Sequence, residues 1–213
     1  MILPVLLDGA KITVELFIVT LVFSLPLGLP IGLGENSKIL PLRWICKAYV
    51  FIFRGTPLML QLFFFYYFFP IALNIRMDAF PTAAVTFILN YAAYFAEIYR
   101  GGINSIDRGQ YEAAHSLGLN RPQTLFGIIL PQTFRVVLPP VSNEVIVLIK
   151  DTALASSLAL ADMMRVSEQL VNRDGTLIPY VVVAIMYLIF TFVMTIVLNK
   201  AENRFSKYES KEV

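Results

Sequence analysis

The side chains of this sequence that could do chemistry are ionisable groups embedded in long apolar runs. Glu144 is the only charge in the stretch 136–149. A charge at the centre of a membrane helix costs about 2.5–3.5 kcal/mol, so a retained one needs a partner. Its helical neighbours three and four positions away are Pro140, Val141, Val147 and Leu148, none basic. The partner must come from another helix, from water or from a ligand. Glu144, with Asn143 beside it, is therefore a candidate contact for an ammonium group; an inter-helix hydrogen bond is the alternative. Glu97 and Asp162 are weaker candidates, because Arg100 and Arg165 stand three positions on. Glu15 has Lys11 four positions back and reads as structural. After Lys150-Asp151-Thr152 come ten uncharged residues, 152–161, too few to span a bilayer. Asp151 or Thr152 would cap a short helix there. The free N–H groups of a helix start near Thr152 would attract a carboxylate, and Ser156 and Ser157 could add hydroxyls. A plain re-entrant packing segment is the competing reading.

These groups need a membrane to sit in. The 213 residues are 57% hydrophobic and 15% charged, with mean hydropathy +0.70. A soluble domain carries roughly 25% charge, so much of this apolar surface must face lipid. Near-charge-free runs cover 16–34, 55–75 (extended back through 48–53, past Arg54), 79–96, 136–149 and 175–199. Five spanning helices follow, with Pro139-Pro140 expected to bend the fourth. The intervening segments alternate between two sides. One side collects eleven Lys and Arg, the other four, which places the N-terminus outside and the C-terminus in the cytoplasm. The net charge of +2 and one cysteine, Cys46, with one histidine, His115, argue against a nucleic-acid partner, a disulfide framework within the chain and a His/Cys metal site. No Ser/His or Asp/Asp pair lies within the spans, so an intramembrane enzyme is disfavoured.

The cytoplasmic segment 101–130 is too long for a plain connector. Residues 110–117 form a helical stretch with Ala113-Ala114 at its centre, and Gly118 is a natural stop. Asn120-Arg121-Pro122 reads as a restart, and Pro131 marks entry to the fourth span. A short helix with a small-residued middle suits a partner's cleft, where Glu112 could meet a basic group. A surface helix without a partner is the alternative.

The spacing Glu112-Ala113-Ala114, three residues, Gly118, nine residues, Ile128, one residue, Leu130-Pro131 resembles the EAA loop of ABC-importer permeases at every fixed position. Gly9 with Thr13, Arg54-Gly55-Thr56-Pro57-Leu58 with Gln61, residues 96–102, Gly109-Gln110, Pro131-Gln132 and 148–152 resemble the polar amino acid branch (histidine, glutamine, arginine) of that family. Ala153 departs from the usual Ser and Asp162 from the commoner Glu. The resemblance covers about residues 9–205. It implies an all-α integral membrane protein of MetI-like permease architecture, one transmembrane domain over 1–213 with the coupling loop 101–130, in the inner membrane of a prokaryote. It further implies pairing with a second copy or close homologue, an ATP-binding subunit dimer receiving Gln110, Glu112, Ala113, Ala114, Leu117 and Gly118, and an extracytoplasmic solute-binding protein. No G-x-x-x-x-G-K-[ST] loop is present, so ATP and Mg belong to the partner and no cofactor is expected in this chain. The acidic groups Glu144, Glu97 and Asp162 favour a basic substrate such as arginine; glutamine or another neutral polar amino acid is the alternative. An ATP-independent transporter or channel subunit, and a membrane assembly protein, are rival readings.

Overall fold

The computed structural model describes residues 3–206, and all their regular structure is helical. Lys207 and Lys211, counted in the sidedness argument, and the ends of the expected 1–213 domain lie outside the described residues. The elements are α1 (Leu3–Glu35), α2 (Leu40–Gly55), α3 (Leu58–Leu73), α4 (Ala79–Ser105), α5 (Arg108–Ser116), α6 (Arg121–Thr124), α7 (Leu130–Asp151), α8 (Met163–Asp174) and α9 (Ile178–Ser206). A π-turn, Leu125–Ile129, joins α6 to α7, and a 3-10 turn, Thr152–Leu158, prolongs α7. Four stretches are long and apolar enough to cross a membrane: Leu3–Glu35, Ala79–Ser105, Arg121–Leu158 and Ile178–Phe205.

The expected second span is not one rod. It breaks into α2 and α3, which meet at 110°, and only as a broken pair do they supply a fifth span. The cause is Thr56-Pro57. Proline disfavours the helical region for the residue before it, and Thr56 is extended at φ −119°, ψ 146°. The exposed carbonyls of the break are claimed by a buried amide pair. Gln61 Nε2 donates to Phe53 O at 2.9 Å and to Thr56 O at 3.1 Å. Asn90 Nδ2, reaching from α4, donates to Phe53 O and to Gln61 Oε1, both at 3.0 Å.

Helices α1 and α4 form the central pair. Thr20, Ser24, Gly28 and Gly32 repeat every four residues along α1 and are buried, facing a stretch of α4 rich in small residues. A Cβ on Gly28 would lie 2.8 Å from Phe95 Cβ, and one on Gly32 would lie 2.6 Å from Ala96 O. Close backbone approach through small residues is how helices associate where lipid removes the hydrophobic drive. Around this pair Leu16, Phe17, Leu62, Phe87, Phe95, Val145 and Leu148 close the core. The outer face of α9, including Leu188, Ile189, Phe192 and Ile196, stays exposed and apolar, as a lipid-facing surface must.

Segment 101–130 is helical, as its sequence predicts, and helix restarts at Arg121 as expected; beyond that reading, α4 runs on to Ser105 and helix is continuous from Arg121 past Pro131. The restart carries a capping box, with Gln123 N donating to Asn120 Oδ1 at 3.0 Å and Asn120 N to Gln123 Oε1 at 2.9 Å. A short 3-10 helix, Thr152–Leu158, does begin at Thr152, but it continues α7 without a free N-terminus. Asp151 keeps helical backbone (φ −67°, ψ −24°) and caps nothing, because the chain tightens into 3-10 geometry rather than stopping. It ends instead at Ala159, in left-handed conformation (φ 58°). Helix α7 stays helical through Pro139 and Pro140.

Candidate functional site

The elbow between α2 and α3, the middle of α4 and the last three turns of α7 enclose a cavity of about 480 Å³. Residues 54–58 form one wall, Asn90, Tyr91 and Tyr94 a second, and Glu144, Val147 and Asp151 a third. Glu144 and Asp151 are seven residues apart on α7, two turns, so both point to one side about 10 Å apart along the axis. Tyr91 donates to Asp151 Oδ2 at 2.7 Å. Opposite, Arg54 ends α2; its guanidinium carbon lies 5.4 Å from the Tyr94 ring centroid, close enough for a cation–π contact, and its Nη1 lies 3.5 Å from Glu97 Oε2. Glu144 lies within the fields of both Asp151 and Arg54. The cavity thus offers a guanidinium on one side and two carboxylates on the other, with tyrosine rings between. Such an arrangement can hold a zwitterion end to end.

Of the residues singled out from sequence, Glu144 lines this cavity. Glu97 faces an adjoining one, bonded to Arg100 as its spacing suggests. Asn143 is exposed and Ser156 half-buried, and neither is among the cavity's walls. Thr152 is fully buried and donates to Ile149 O at 2.6 Å, so its hydroxyl serves the turn. Asp162 is fully buried and caps α8, its Oδ1 accepting from Arg165 N at 2.9 Å. The expected pairing with the Arg165 side chain does not form: that guanidinium goes to Glu168 at 3.0 Å. Burial pushes the Asp162 carboxyl up to about 6, against the pull of backbone N–H groups and Arg165. The segment is seated on α1, where Thr13 Oγ1 accepts from Met163 N at 3.2 Å. Lys11 pairs with Asp8 at 2.8 Å rather than with Glu15, since the shorter Asp at i−3 meets the ammonium directly.

Sequence reasoning missed Arg54, Asn90, Tyr91, Tyr94 and Asp151 as cavity groups. Arg54 carried the same signal as Glu144, one charge inside an apolar run. It was passed over because the run was read as straight. Asp151 was read as a cap because a helix start was expected there.

The segment after α4 is built for presentation. Asp107 Oδ1 accepts from Gly109 N at 2.6 Å and starts α5. Gly118, at φ 74°, ends it in the left-handed conformation that glycine tolerates. Ala114 is buried against the chain's own α6 and π-turn, whereas Gln110, Glu112, Ala113 and Leu117 face outward. Gln132 Nε2 donates to Gln110 Oε1 and to Ile128 O, both at 3.1 Å, tying α5 to the start of α7. The π-turn between them has a covalent cause: Pro131 has no N–H to donate back into the preceding turn, and Leu130 N reaches Leu125 O, five residues back.

Comparison with known proteins agrees with this architecture. Residues 10–207 match the family described as binding-protein-dependent transport system inner membrane component. The chain is 42% identical to the L-cystine transport system permease protein TcyB of Bacillus subtilis over 210 residues, 98% of this chain and 89% of that one. It is 36% identical to the arginine transport system permease protein ArtQ of the same organism over 203 residues, covering 95% and 93%. A crystal structure of an amino acid ABC transporter with histidines superposes with TM-score 0.87 at 31% identity, covering 94% of both chains. The family match spans nearly the whole chain, and the relatives are amino acid permease subunits of bacteria. This chain therefore belongs to the inner-membrane permease components of binding-protein-dependent ABC importers.

Proposed function

We propose that the chain forms half of the path of an importer for polar amino acids bearing more than one cationic group, and that the 480 Å³ cavity holds the substrate. The observation that carries this is the opposition of Arg54 to the pair Glu144 and Asp151. Arg54 takes a carboxylate. Glu144 takes an ammonium, and Asp151, already accepting from Tyr91, receives the second cationic group. Arginine and cystine both present this pattern, and relatives named for each are among the proteins it resembles. Relatives named for glutamine keep a neutral substrate as the second reading.

The work is supplied from outside the chain. In this reading α5 lies on the cytoplasmic side and presents Gln110, Glu112, Ala113 and Leu117 to an ATP-binding subunit, with Gly118 closing the helix and Ala114 anchoring it. ATP and Mg are bound there, and a solute-binding protein delivers substrate to the opposite face. The family assignment supports partners of these kinds in general terms.

The test is uptake by liposomes containing the permease with its ATPase and binding protein. Labelled arginine, cystine and glutamine would be compared for the native chain and Glu144→Gln. Loss of a charge-assisted contact should raise the KM for arginine and cystine about tenfold or more, with a smaller change for glutamine. Equal KM values for all three, unchanged by the substitution, would remove the substrate assignment.

A further inference from the structure

A second charged cavity adjoins the first. It measures about 860 Å³, with Glu35 from the end of α1, Trp44 and Lys47 from α2, and Glu97 and Arg100 from α4 in its walls. Arg54 and Tyr94 line both cavities. Position along α4 sets their order. Tyr91 faces the first, Tyr94 both, and Glu97 and Arg100 the second. From Tyr91 to Arg100 the helix advances about 13 Å toward α5. The two spaces therefore lie in series, the larger one nearer α5.

The larger cavity repeats the chemistry of the smaller. It has guanidinium groups, Arg54 and Arg100, and carboxylates, Glu35 and Glu97. Glu97 is bonded to Arg100. Arg100 Nε stands 3.9 Å from Glu35 Oε2, too far for a hydrogen bond. Glu35 is 5% exposed, and its Oε2 finds no hydrogen-bond partner among the described residues. A buried carboxylate oxygen left unpaired is costly. A donor entering the cavity would relieve it.

We propose that this cavity is a second, release-side site for the amino acid, where Glu35 and Glu97 receive the ammonium and Arg54 carries the carboxylate across from the first site. The proposal rests on the reading of the 480 Å³ cavity as the first site. Arg54 suits the transfer because its guanidinium presents donors on two edges. It holds Glu97 only as an ion pair at 3.5 Å, so one edge can keep Glu97 while the other keeps the substrate. The amino acid then steps between sites without either end losing every partner.

The test uses the complete transporter in liposomes. Initial uptake of labelled arginine and cystine is measured against the same unlabelled amino acid preloaded on the release side. In the native chain preloading slows uptake by occupying the second site. Glu35→Gln and Trp44→Ala, neither of which lines the first cavity, should each raise the half-inhibiting preload about tenfold while KM for uptake stays within about twofold. Trp44 is exposed, so its replacement keeps the test valid if Glu35→Gln does not assemble. Uptake insensitive to preload, or an unchanged half-inhibiting concentration in both variants, overturns the proposal. So does a shift seen only in vesicles containing phosphatidylglycerol and lost in phosphatidylcholine, since the cavity would then seat a lipid headgroup. Glu144→Gln in parallel separates the two readings: an unchanged KM there overturns the first site whatever the preload result.

Discussion

At the scale of single residues, burial and the surrounding polar groups decide which carboxylate is available and which is structural. Glu144 and Asp162 look alike in sequence, each an acid near apolar segments. Folding gives Glu144 a cavity and gives Asp162 a helix to cap. The consequence for Asp162 is a dependence on pH. Its folded value stands near 6 against an ordinary 3.8, raised by burial, so between those values the folded chain holds more protons than the unfolded one. Stability then falls as pH rises through that window, and the penalty is fully present at neutral pH. Asp162→Asn keeps a good cap and removes the titration. Thermal unfolding in detergent should show a native midpoint that drops between about pH 4 and 6.5, and a variant midpoint that drops less there. A native midpoint that rose over the same range would contradict the placement. Glu144 was legible because nothing on its own helix could neutralise it. Asp151 was not, because the same two residues, Asp151-Thr152, suit either a cap or a continuing helix, and only the packed chain chooses.

Elements carry the next level of constraint. The right-angled joint between α2 and α3 places Arg54 beside α4, and it depends on Gln61 and Asn90. Gln61→Leu would leave the Thr56 carbonyl without its side-chain donor and Asn90 without the Gln61 oxygen, while Phe53 O keeps Asn90, at about 1–3 kcal/mol for an orphaned group. The expected result is a lower melting temperature together with a raised KM for uptake, because the joint also positions Arg54. A variant with native KM would show that Arg54 is held by other means. The α1–α4 contact gives a second prediction. Gly32→Val would drive a methyl-bearing carbon to within 2.6 Å of Ala96 O, a contact with backbone that no rotamer can relieve. Size-exclusion chromatography and limited proteolysis should show loss of the folded subunit, whereas Gly55→Ala, with open space around it, should be tolerated. The number of membrane-crossing segments was close to legible from apolar run lengths. The broken one was not, since hydropathy is blind to direction: Arg54-Gly55-Thr56-Pro57 interrupts the run without making it polar.

For the whole molecule, the prediction concerns how ATP hydrolysis reaches the substrate. In the proposed function, α5 docks on the ATPase through Glu112 and its outward neighbours. Glu112→Lys should leave the folded subunit and substrate affinity intact while lowering uptake per ATP hydrolysed about tenfold or more, read by measuring both rates in the same liposomes. Uptake tightly linked to hydrolysis in that variant would move the docking contact elsewhere. At this scale the spacing of Glu112-Ala113-Ala114 and Gly118 carried the family likeness in the sequence itself. The same likeness included Gln110 and Gln132 but not the bond between them, by which the Gln132 side chain fastens Gln110 to α7. That fastening has a mechanical meaning. Beyond Gln132, α7 runs unbroken to Asp151, about 30 Å of continuous helix. Pro139 and Pro140, which donate no N–H, lie on it between Gln132 and Glu144. In the proposed function a push on α5 therefore reaches Glu144 and Asp151 through a lever with one compliant joint, set between the handle and the load.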